Sequence, residues 1–162
     1  MDYIHELRKE IGSRKIILNC SGAIIIRDGR ILLQRRSDNG KWGLIGGLLE
    51  MNETYEEAAL REVREETGLE VRLDSFLGIF HNHHMVWNNG DAAHVISACF
   101  TASILSGEPR IDEESYELKF FSREEMPDLF AEDHLAALEA YDAGIRLPLL
   151  KENRCSGPAY RG

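Results

Sequence analysis

The chain has 162 residues, of which 43% are hydrophobic and 29% charged, and it carries a formal net charge of -9. This length corresponds to one domain with a single core, and this composition excludes disordered and fibrous proteins. A negative chain lacks the basic surface that long nucleic acids require, although bound cations still allow a small anionic ligand to bind.

Signals for targeting, membrane insertion and disulfide formation are missing from the sequence. No apolar run reaches the roughly 20 residues that span a bilayer, and the first ten residues lack the apolar core of a signal peptide. We therefore expect a cytoplasmic protein with no membrane partner. The domain is expected to occupy residues 1–150, and the polar residues 151–162, which include Gly and Pro, are expected to form a loose tail.

The cysteines are predicted to be structural residues and not metal ligands or disulfide partners. Cys20, Cys99 and Cys155 are odd in number and far apart in the sequence. This pattern indicates neither a disulfide framework nor a zinc site. Cys20 and Cys99 fall in strand-like stretches, and we predict that they are small core residues.

The N-terminal elements are a helix and two strands. Residues 2–11 predict an amphipathic helix that covers either the sheet or a partner subunit, which leaves a homodimer open. Residues 15–27 are apolar and β-branched, Asp28-Gly29 indicates a hairpin turn, and residues 30–36 form the second, antiparallel strand. Arg36 ends that strand, where it is either solvated or a ligand for a substrate phosphate. Strand alternation leaves both interpretations open.

A glycine turn and a short helix concentrate acids between Gly46 and Leu69. Glu62, Glu65 and Glu66 are spaced i, i+3, i+4 and therefore share one face of the helix. Like charges at this spacing destabilise an isolated helix, so the pattern favours a bound cation over the alternative, a solvated acidic face. Oxygen ligands without nearby His or Cys suit Mg²⁺ or Mn²⁺.

The ends and the packing side of this helix are also marked in the sequence. Asn52 and Thr54 are both candidates for its N-cap, and Gly68 suits the left-handed residue that ends a helix. Ala59 and Val63 lie beside the acids. We therefore expect the helix to pack along one edge and to offer its acids to a cleft.

A histidine cluster follows the next strand. Residues 70–81 alternate like a strand, with a bulge or turn expected at Gly78. His81, His83 and His84 then form either a metal site or the polar end of a hairpin. Because no cysteine or acid stands at metal-ligand spacing nearby, the sequence favours the polar loop or hairpin end.

The remaining elements complete a mixed domain. Residues 93–105 and 117–121 are predicted to be strands, a short helix interrupted by Met126-Pro127 is expected, and a final helix is predicted over residues 131–143. Its predicted inward residues are Ala131, Leu135, Leu138 and Tyr141. The order of elements supports an α/β or α+β domain with a mixed sheet covered on both faces.

The stretch from residue 47 to residue 69 carries a specific motif. The positions at which the motif specifies a residue type are occupied by Gly47, Glu53, Arg61, Glu62, Val63, Glu65, Glu66, Gly68 and Leu69. This set resembles the Nudix box at every fixed position, and the sequences ILLQRRSDNGKWGLIGG and ELKFFSREEMPDL resemble the segments that flank it in family members. Ile45 stands where Pro is common and Asn52 where Gly is usual, which alters the loop but not the metal chemistry. The resemblance implies an α/β/α Nudix sandwich with a mixed β-sheet.

The resemblance also implies an activity and a set of ligands. Family members use water to cleave a nucleoside diphosphate linked to another group, with Mg²⁺ as the metal and Mn²⁺ as a possible substitute. The implied metal ligands are the side chains of Glu62, Glu65 and Glu66, with the Gly46 carbonyl as a further candidate. Arg61 and Glu53 match positions that orient the other groups, and Glu53 is also a candidate to bind metal through water.

The group that deprotonates the attacking water differs among family members. Some use a glutamate of the box, for which Glu65 is the candidate here, and others use a glutamate from a later loop. Glu113, Glu114 and Glu117 lie in the corresponding later region, and we select Glu114. The alternative is that all three are solvated surface acids.

The resemblance narrows the substrate to a small nucleotide. The proline that marks many ADP-ribose hydrolases is absent, because Met85 stands in its place, and Trp87 is only a loose match to the aromatic marker of dinucleoside-polyphosphate hydrolases. A nucleoside triphosphate or a nucleotide sugar is therefore expected, with Phe80, Trp87 or Trp42 available to stack on a base. The alternative function is a Nudix-fold module that senses a nucleotide without cleaving it. The intact acids of the box and the absence of an added helix-turn-helix region disfavour it.

Overall fold

The computed structural model describes residues 3–150. The tail at residues 151–162 and Cys155 lie outside the described residues. The elements in chain order are α1 (Tyr3–Ile11), β1 (Ile16–Arg27), β2 (Arg30–Arg36), β3 (Trp42–Gly43), β4 (Ile45–Leu48), α2 (Tyr55–Thr67), β5 (Glu70–Val86), β6 (Ala92–Ser106), β7 (Ser115–Phe121) and α3 (Glu132–Asp142).

The strands form one mixed sheet of seven strands in the order β3-β2-β1-β6-β5, with β4 paired to β1 and β7 paired to β2. β1 runs parallel to β6, and the other pairs are antiparallel. The predicted hairpin is confirmed, with Asp28 and Gly29 at φ angles of 51° and 72°. β1 and β2 pair only next to this turn, and β1 then pairs with β4 between Cys20 and Ala23. This change of partner brings the glycines of β4 into the sheet beside α2.

Helices cover both faces of the sheet. Alternate residues of a strand point to opposite faces, so Ala23 and Ile25 pack in one core with Val63 of α2. Ile24 packs in a second core with Leu138 of α3. α1 lies at one end of the sheet, where its Ile4 contacts a smaller apolar cluster. The predicted α/β/α sandwich with a mixed sheet is confirmed.

The prediction of a loop or hairpin end at the histidines was wrong. β5 continues through them to Val86 and pairs with β6 along its length, with four register shifts. Gly78 stands next to one of those shifts. The pairing with β6 supplies the backbone hydrogen bonds that keep this polar stretch extended, which local polarity alone does not indicate.

Two predictions near the C-terminus were also wrong. No helix forms in residues 122–130; the Glu125 amide bonds to the Ser122 carbonyl in an isolated turn, and Pro127 has no amide hydrogen to extend a helix. α3 begins at Glu132, and its buried residues are Asp133, Ala137 and Leu138. Leu135 is 45% exposed and does not face the core.

Candidate active site

Both ends of α2 are fixed by capping contacts. The Glu57 amide donates to Thr54 Oγ1 at 3.2 Å, and the Thr54 amide donates to Glu57 Oε2 at 2.9 Å, which is a capping box. Gly68 is left-handed at φ 71° and its amide donates to the Arg64 carbonyl. Of the two predicted N-caps, Thr54 is the cap. Asn52 lies in the preceding turn at φ 69°, a conformation that Asn tolerates better than most residues.

The glycines of β4 allow α2 to approach the sheet closely. A Cβ on Gly46 would lie 2.5 Å from the Ser21 carbonyl oxygen, and a Cβ on Gly47 would lie 2.5–2.6 Å from the carboxylate atoms of Glu62. The carboxylate of Glu62 therefore rests against the backbone of Gly47. A side chain at position 47 would occupy the space that this carboxylate fills.

Arg61 links three of the acids. Its Nε and Nη2 donate to the two carboxylate oxygens of Glu53 at 2.5 and 2.9 Å, and its Nη1 donates to Glu62 at 2.7 Å and Glu65 at 3.0 Å. Nη2 also donates to the Leu48 carbonyl at 3.0 Å. The hydrogen bonds from Arg61 lower the pKa of Glu53, and the same contacts raise the pKa of Arg61. Arg61 is thus held in place by β4 and the box acids together.

Glu66 is the most deeply buried of the acids, with 3% of its surface exposed. Its Oε2 accepts a hydrogen bond from the Gly46 amide at 3.1 Å. Desolvation, followed by the charge of Glu62, raises the pKa of Glu66 to about 8. Desolvation also raises the pKa of Glu62, although Arg61 opposes that shift. A buried carboxylate is costly unless a positive partner compensates it, so this pair favours a bound cation.

A cavity of about 430 Å³ opens in front of these acids. That volume lies within the range of small-molecule binding sites. One part of its wall is charged and is formed by Arg36, Arg61, Glu62, Glu65, Glu66 and Glu114. The rest includes aromatic side chains, among them Phe80, Trp87 and Phe130. One cavity therefore combines a charged end with an aromatic region, which suits a molecule with a phosphate group and a flat ring.

The structure brings Arg36 to this cavity. Its Nε and Nη2 donate to the two oxygens of Asp38, each at 2.9 Å, and its guanidinium carbon lies 5.5 Å from the centre of the Phe130 ring. Only 21% of the Arg36 side chain is exposed. The interpretation of Arg36 as a freely solvated strand end does not hold, because its side chain is mostly buried and lines the cavity.

Of the three acids in the later region, Glu114 lines the cavity and Glu113 and Glu117 are not part of its wall. Glu117 stands opposite Arg35 in the ladder between β2 and β7. The Glu114 amide donates to Asp112 Oδ1 at 3.0 Å. The charge of Glu114 contributes to the raised pKa values of Glu62 and Glu66, which places it within electrostatic reach of the box.

The sequence analysis missed a polar group on the opposite wall. Asp133 of α3 is 4% exposed and lines the cavity, and its Oδ2 accepts a hydrogen bond from Ser97 Oγ of β6 at 2.6 Å. The neighbouring His134 accepts a hydrogen bond from the Leu44 amide through Nδ1 at 3.1 Å. No local signal marked Asp133, because α3 also carries Glu132, Glu139 and Asp142 and its inward face was predicted from residues that include Leu135.

The two predicted core cysteines differ in depth. Cys99 is buried in the core under α3, as predicted. Cys20 is partly buried against the smaller apolar cluster, and both cysteines line the cavity. Burial raises the pKa of both thiols to about 12, so neither is poised to act as a thiolate.

Residues 19–141 match the family model of the NUDIX domain. The chain belongs to the Nudix family. It is 36% identical to an ADP-ribose pyrophosphatase of Methanocaldococcus jannaschii over 73% of this chain and 69% of that protein. It is 32% identical to a MutT-like protein of Streptomyces ambofaciens over 77% of each chain. Its fold matches a solved Nudix hydrolase from Nitrosomonas europaea with a TM-score of 0.69 and 26% identity, over 83% of this chain and 96% of the other.

The predicted Nudix fold and enzyme class are therefore confirmed. The protein is a Nudix pyrophosphohydrolase, which acts on small nucleotide derivatives. Within residues 3–150, no helix combines the length and the apolar content needed to cross a bilayer.

Nudix hydrolases generally use divalent metals, and the residues of this box fit such an ion. The donors are carboxylate oxygens without sulfur or imidazole, which is the set preferred by hard divalent cations. Glu66 and Glu62 are both partly or fully desolvated, and the pKa of each is raised because the buried negative charge is incompletely compensated. A cation at this end of the cavity would supply that compensation.

Proposed function

We propose that this Nudix enzyme is an Mg²⁺-dependent hydrolase of the pyrophosphate bond in a nucleoside diphosphate linked to another group, with Mn²⁺ as a substitute. The observation that carries the proposal is the pairing of the buried Glu66 with the half-buried Glu62 at the charged end of a cavity of about 430 Å³. Such a pair is costly without a cation, and the cavity is large enough for a small-molecule ligand.

The acids of α2 hold the metal in this proposal. Glu62, Glu65 and Glu66 are the ligands, and the Gly46 carbonyl is a further candidate because Gly46 lines the same cavity. A bound divalent ion neutralises the charge of a diphosphate and lowers the pKa of its water. Arg61 and Glu53 hold the carboxylates of the box in place through charge-assisted hydrogen bonds, and Arg36 binds a substrate phosphate.

We assign the general base to Glu114. It reaches the cavity from the segment that precedes β7, away from the helix that carries the other acids. Glu65, the alternative from the box, is engaged with Arg61 at 3.0 Å and its side chain is 59% exposed. A base must come within hydrogen-bond reach of the attacking water, and Glu114 lines the same cavity as the box acids.

The substrate is proposed to be a nucleoside triphosphate or a nucleotide sugar. The aromatic side chains of the cavity offer a surface for a base, and the Asp133–Ser97 pair offers hydrogen-bonding groups next to it. The relatives include a protein named ADP-ribose pyrophosphatase, whose name refers to a nucleotide sugar, and one named putative 8-oxo-dGTP diphosphatase, whose name refers to a nucleoside triphosphate. Met85, which stands in the place of the marker proline, lines the cavity.

A substrate panel tests this proposal. Purified protein is incubated with nucleoside triphosphates and with nucleoside diphosphate sugars that include ADP-ribose, in Mg²⁺, Mn²⁺ or EDTA. Products are identified by chromatography as pyrophosphate with a monophosphate, or as a monophosphate with a sugar phosphate. We expect metal-dependent turnover of at least one class and its loss in Glu66→Gln. Nucleotide binding without turnover in either metal would contradict catalysis and favour the sensing module.

A further inference from the structure

Three histidines come together on the sheet, away from the Nudix box. They are His81 and His83 of β5 and His94 of β6. One ring nitrogen from each lies within 4.8 Å of the others, and His81 Nδ1 lies 3.0 Å from His94 Nε2. The ring centres of His83 and His94 are 4.3 Å apart.

The pairing of β5 with β6 creates this cluster. Asn82 pairs with Val95 and Met85 pairs with Ala93, so that His83 and His84 both stand opposite the single residue His94. An extra residue on one strand is a β-bulge, which redirects side chains. Residues 81 and 83 share one face by strand alternation, and His94 lies on that face because its neighbour Val95 pairs with Asn82.

The cluster lies outside the catalytic cavity. The β6 residues on the cavity wall are Val95, Ser97, Ala98 and Cys99, and His81, His83 and His94 are not part of that wall. On β1, the residue paired with His94 is Ile17, which is 64% exposed. The three imidazoles therefore sit on an open sheet surface beside an apolar side chain, and they do not belong to the acid site.

The ligand chemistry of this cluster differs from that of the Nudix box. Neutral imidazoles suit Zn²⁺, Cu²⁺ and Ni²⁺, whereas Mg²⁺ prefers oxygen. Two nitrogens bound tetrahedrally to zinc at about 2.0–2.1 Å lie about 3.4 Å apart. The observed nitrogen separations, from 3.0 Å up to at most 4.8 Å, bracket that spacing.

We propose that His81, His83 and His94 form a second metal site that binds one Zn²⁺ ion, with water in the fourth position. Three histidines and one open position are an established zinc geometry. The ion joins the edge strand β5 to β6 at the bulge, where the ladder between them is interrupted. The enzyme then binds two kinds of metal ion at two sites. The carboxylates bind a hard ion such as Mg²⁺, and the imidazoles bind Zn²⁺, which is intermediate in softness.

The test is a zinc titration of the tag-free, metal-stripped protein against a chromophoric chelator, with excess Mg²⁺ present to occupy the acid site. We expect one zinc ion per chain. His94→Ala and His83→Ala should each weaken zinc binding by at least about 10-fold, since loss of even an outer partner of a metal ligand costs roughly 10- to 100-fold. His84→Ala is the matched control, because His84 is adjacent on the same bulge but is not part of the cluster, and its zinc affinity should equal that of the wild type.

Two further measurements separate a lost site from a damaged fold. Mg²⁺-dependent hydrolysis by His94→Ala should match the wild type, because His94 does not touch the cavity. Zinc should shift the ring resonances of the three cluster histidines in NMR spectra and leave those of His84 in place. Equal zinc affinity of His94→Ala, His84→Ala and wild type, or unmoved ring resonances at saturating zinc, would overturn the proposal.

Discussion

At the scale of single residues, the ionisation of Glu66 affects both the stability of the fold and the binding of a metal. Burial raises its pKa from 4.5 to about 8, so the folded protein holds this proton more tightly than the unfolded chain. The stabilisation is complete below the unfolded pKa and is lost as the pH rises through the folded pKa. A cation beside Glu66 favours the ionised form and should offset that loss.

We therefore predict that the melting temperature of the metal-free protein falls as the pH is raised from about 5 to about 8. A decrease of several degrees is expected, because about 1 kcal/mol corresponds to roughly 2–4 °C at this chain length. Mg²⁺ should restore most of the decrease at the higher pH, and Glu66→Gln should have a flatter profile. Thermal denaturation across this pH range checks both. Identical profiles for wild type and Glu66→Gln would show that another group is responsible.

The assignment of Glu114 as the general base is also tested at the scale of single residues, by substituting Glu114 and the neighbouring acids. Glu114→Gln should lower kcat by about 10²- to 10⁴-fold, the usual contribution of general base catalysis, while Mg²⁺ binding persists. Glu113→Gln is the matched control and should keep full activity, because Glu113 is not on the cavity wall. Steady-state kinetics of both variants and of Glu65→Gln decide the question. A larger kcat loss in Glu65→Gln than in Glu114→Gln, with Mg²⁺ binding unchanged in both variants, would move the base to the box.

At the scale of elements, the contact between β4 and α2 positions the acids. The backbone of Gly47 is outside the left-handed region, so alanine fits its conformation, but the added Cβ would lie 2.5–2.6 Å from the Glu62 carboxylate. Gly47→Ala should therefore displace Glu62, weaken Mg²⁺ activation and lower activity, with little change in melting temperature.

A double variant isolates this contact. Glu62→Asp shortens the side chain and should itself lower activity. Once the carboxylate is withdrawn, adding Gly47→Ala to Glu62→Asp should cost less than Gly47→Ala does alone, because residues in contact have non-additive effects. Activity as a function of Mg²⁺ concentration measures each variant. Strict additivity would mean that Gly47 acts through something other than Glu62.

Elements whose signals are local were predictable from the sequence. α2 has a capping box at Thr54 and a left-handed glycine at Gly68, and both signals lie within a few residues of the helix. The motif then assigned the acids to one face. The histidine cluster was not predictable in this way, because its third member, His94, is brought beside the others by the pairing of β5 with β6. The register between two strands cannot be read from either segment alone.

The same limit applied to the opposite wall of the cavity. Asp133 reaches the cavity because α3 packs on the far face of the sheet, and Ser97 becomes its partner across 36 residues of sequence. No local pattern in α3 specifies that contact. The prediction of a helix around Met126-Pro127 failed for the converse reason, since a weak local tendency was overridden by a proline and by side-chain turns in residues 122–130.

At the scale of the whole molecule, the two helical layers contribute different chemistry to one cavity. α2 supplies the acids from one face of the sheet, and α3 supplies Asp133 from the other. The two contributions are connected by the sheet and not by direct contact between the acids and Asp133. Substitutions in α3 should therefore change which nucleotide is bound more than how the pyrophosphate bond is cleaved.

Asp133→Asn tests this division of roles. The substitution keeps the size of the side chain but changes its charge and the hydrogen bonds that it offers to a ligand. A hydrogen bond to a charged group contributes about 1.5–3 kcal/mol, so KM for the preferred nucleotide should rise about 10- to 100-fold, and the ranking of bases should change, with a smaller effect on kcat. Glu139→Gln, an exposed substitution on the same helix, is the control. A loss confined to kcat would instead group Asp133 with the acids that act on phosphate. The helices α2 and α3 would then not have separate roles in cleavage and nucleotide binding.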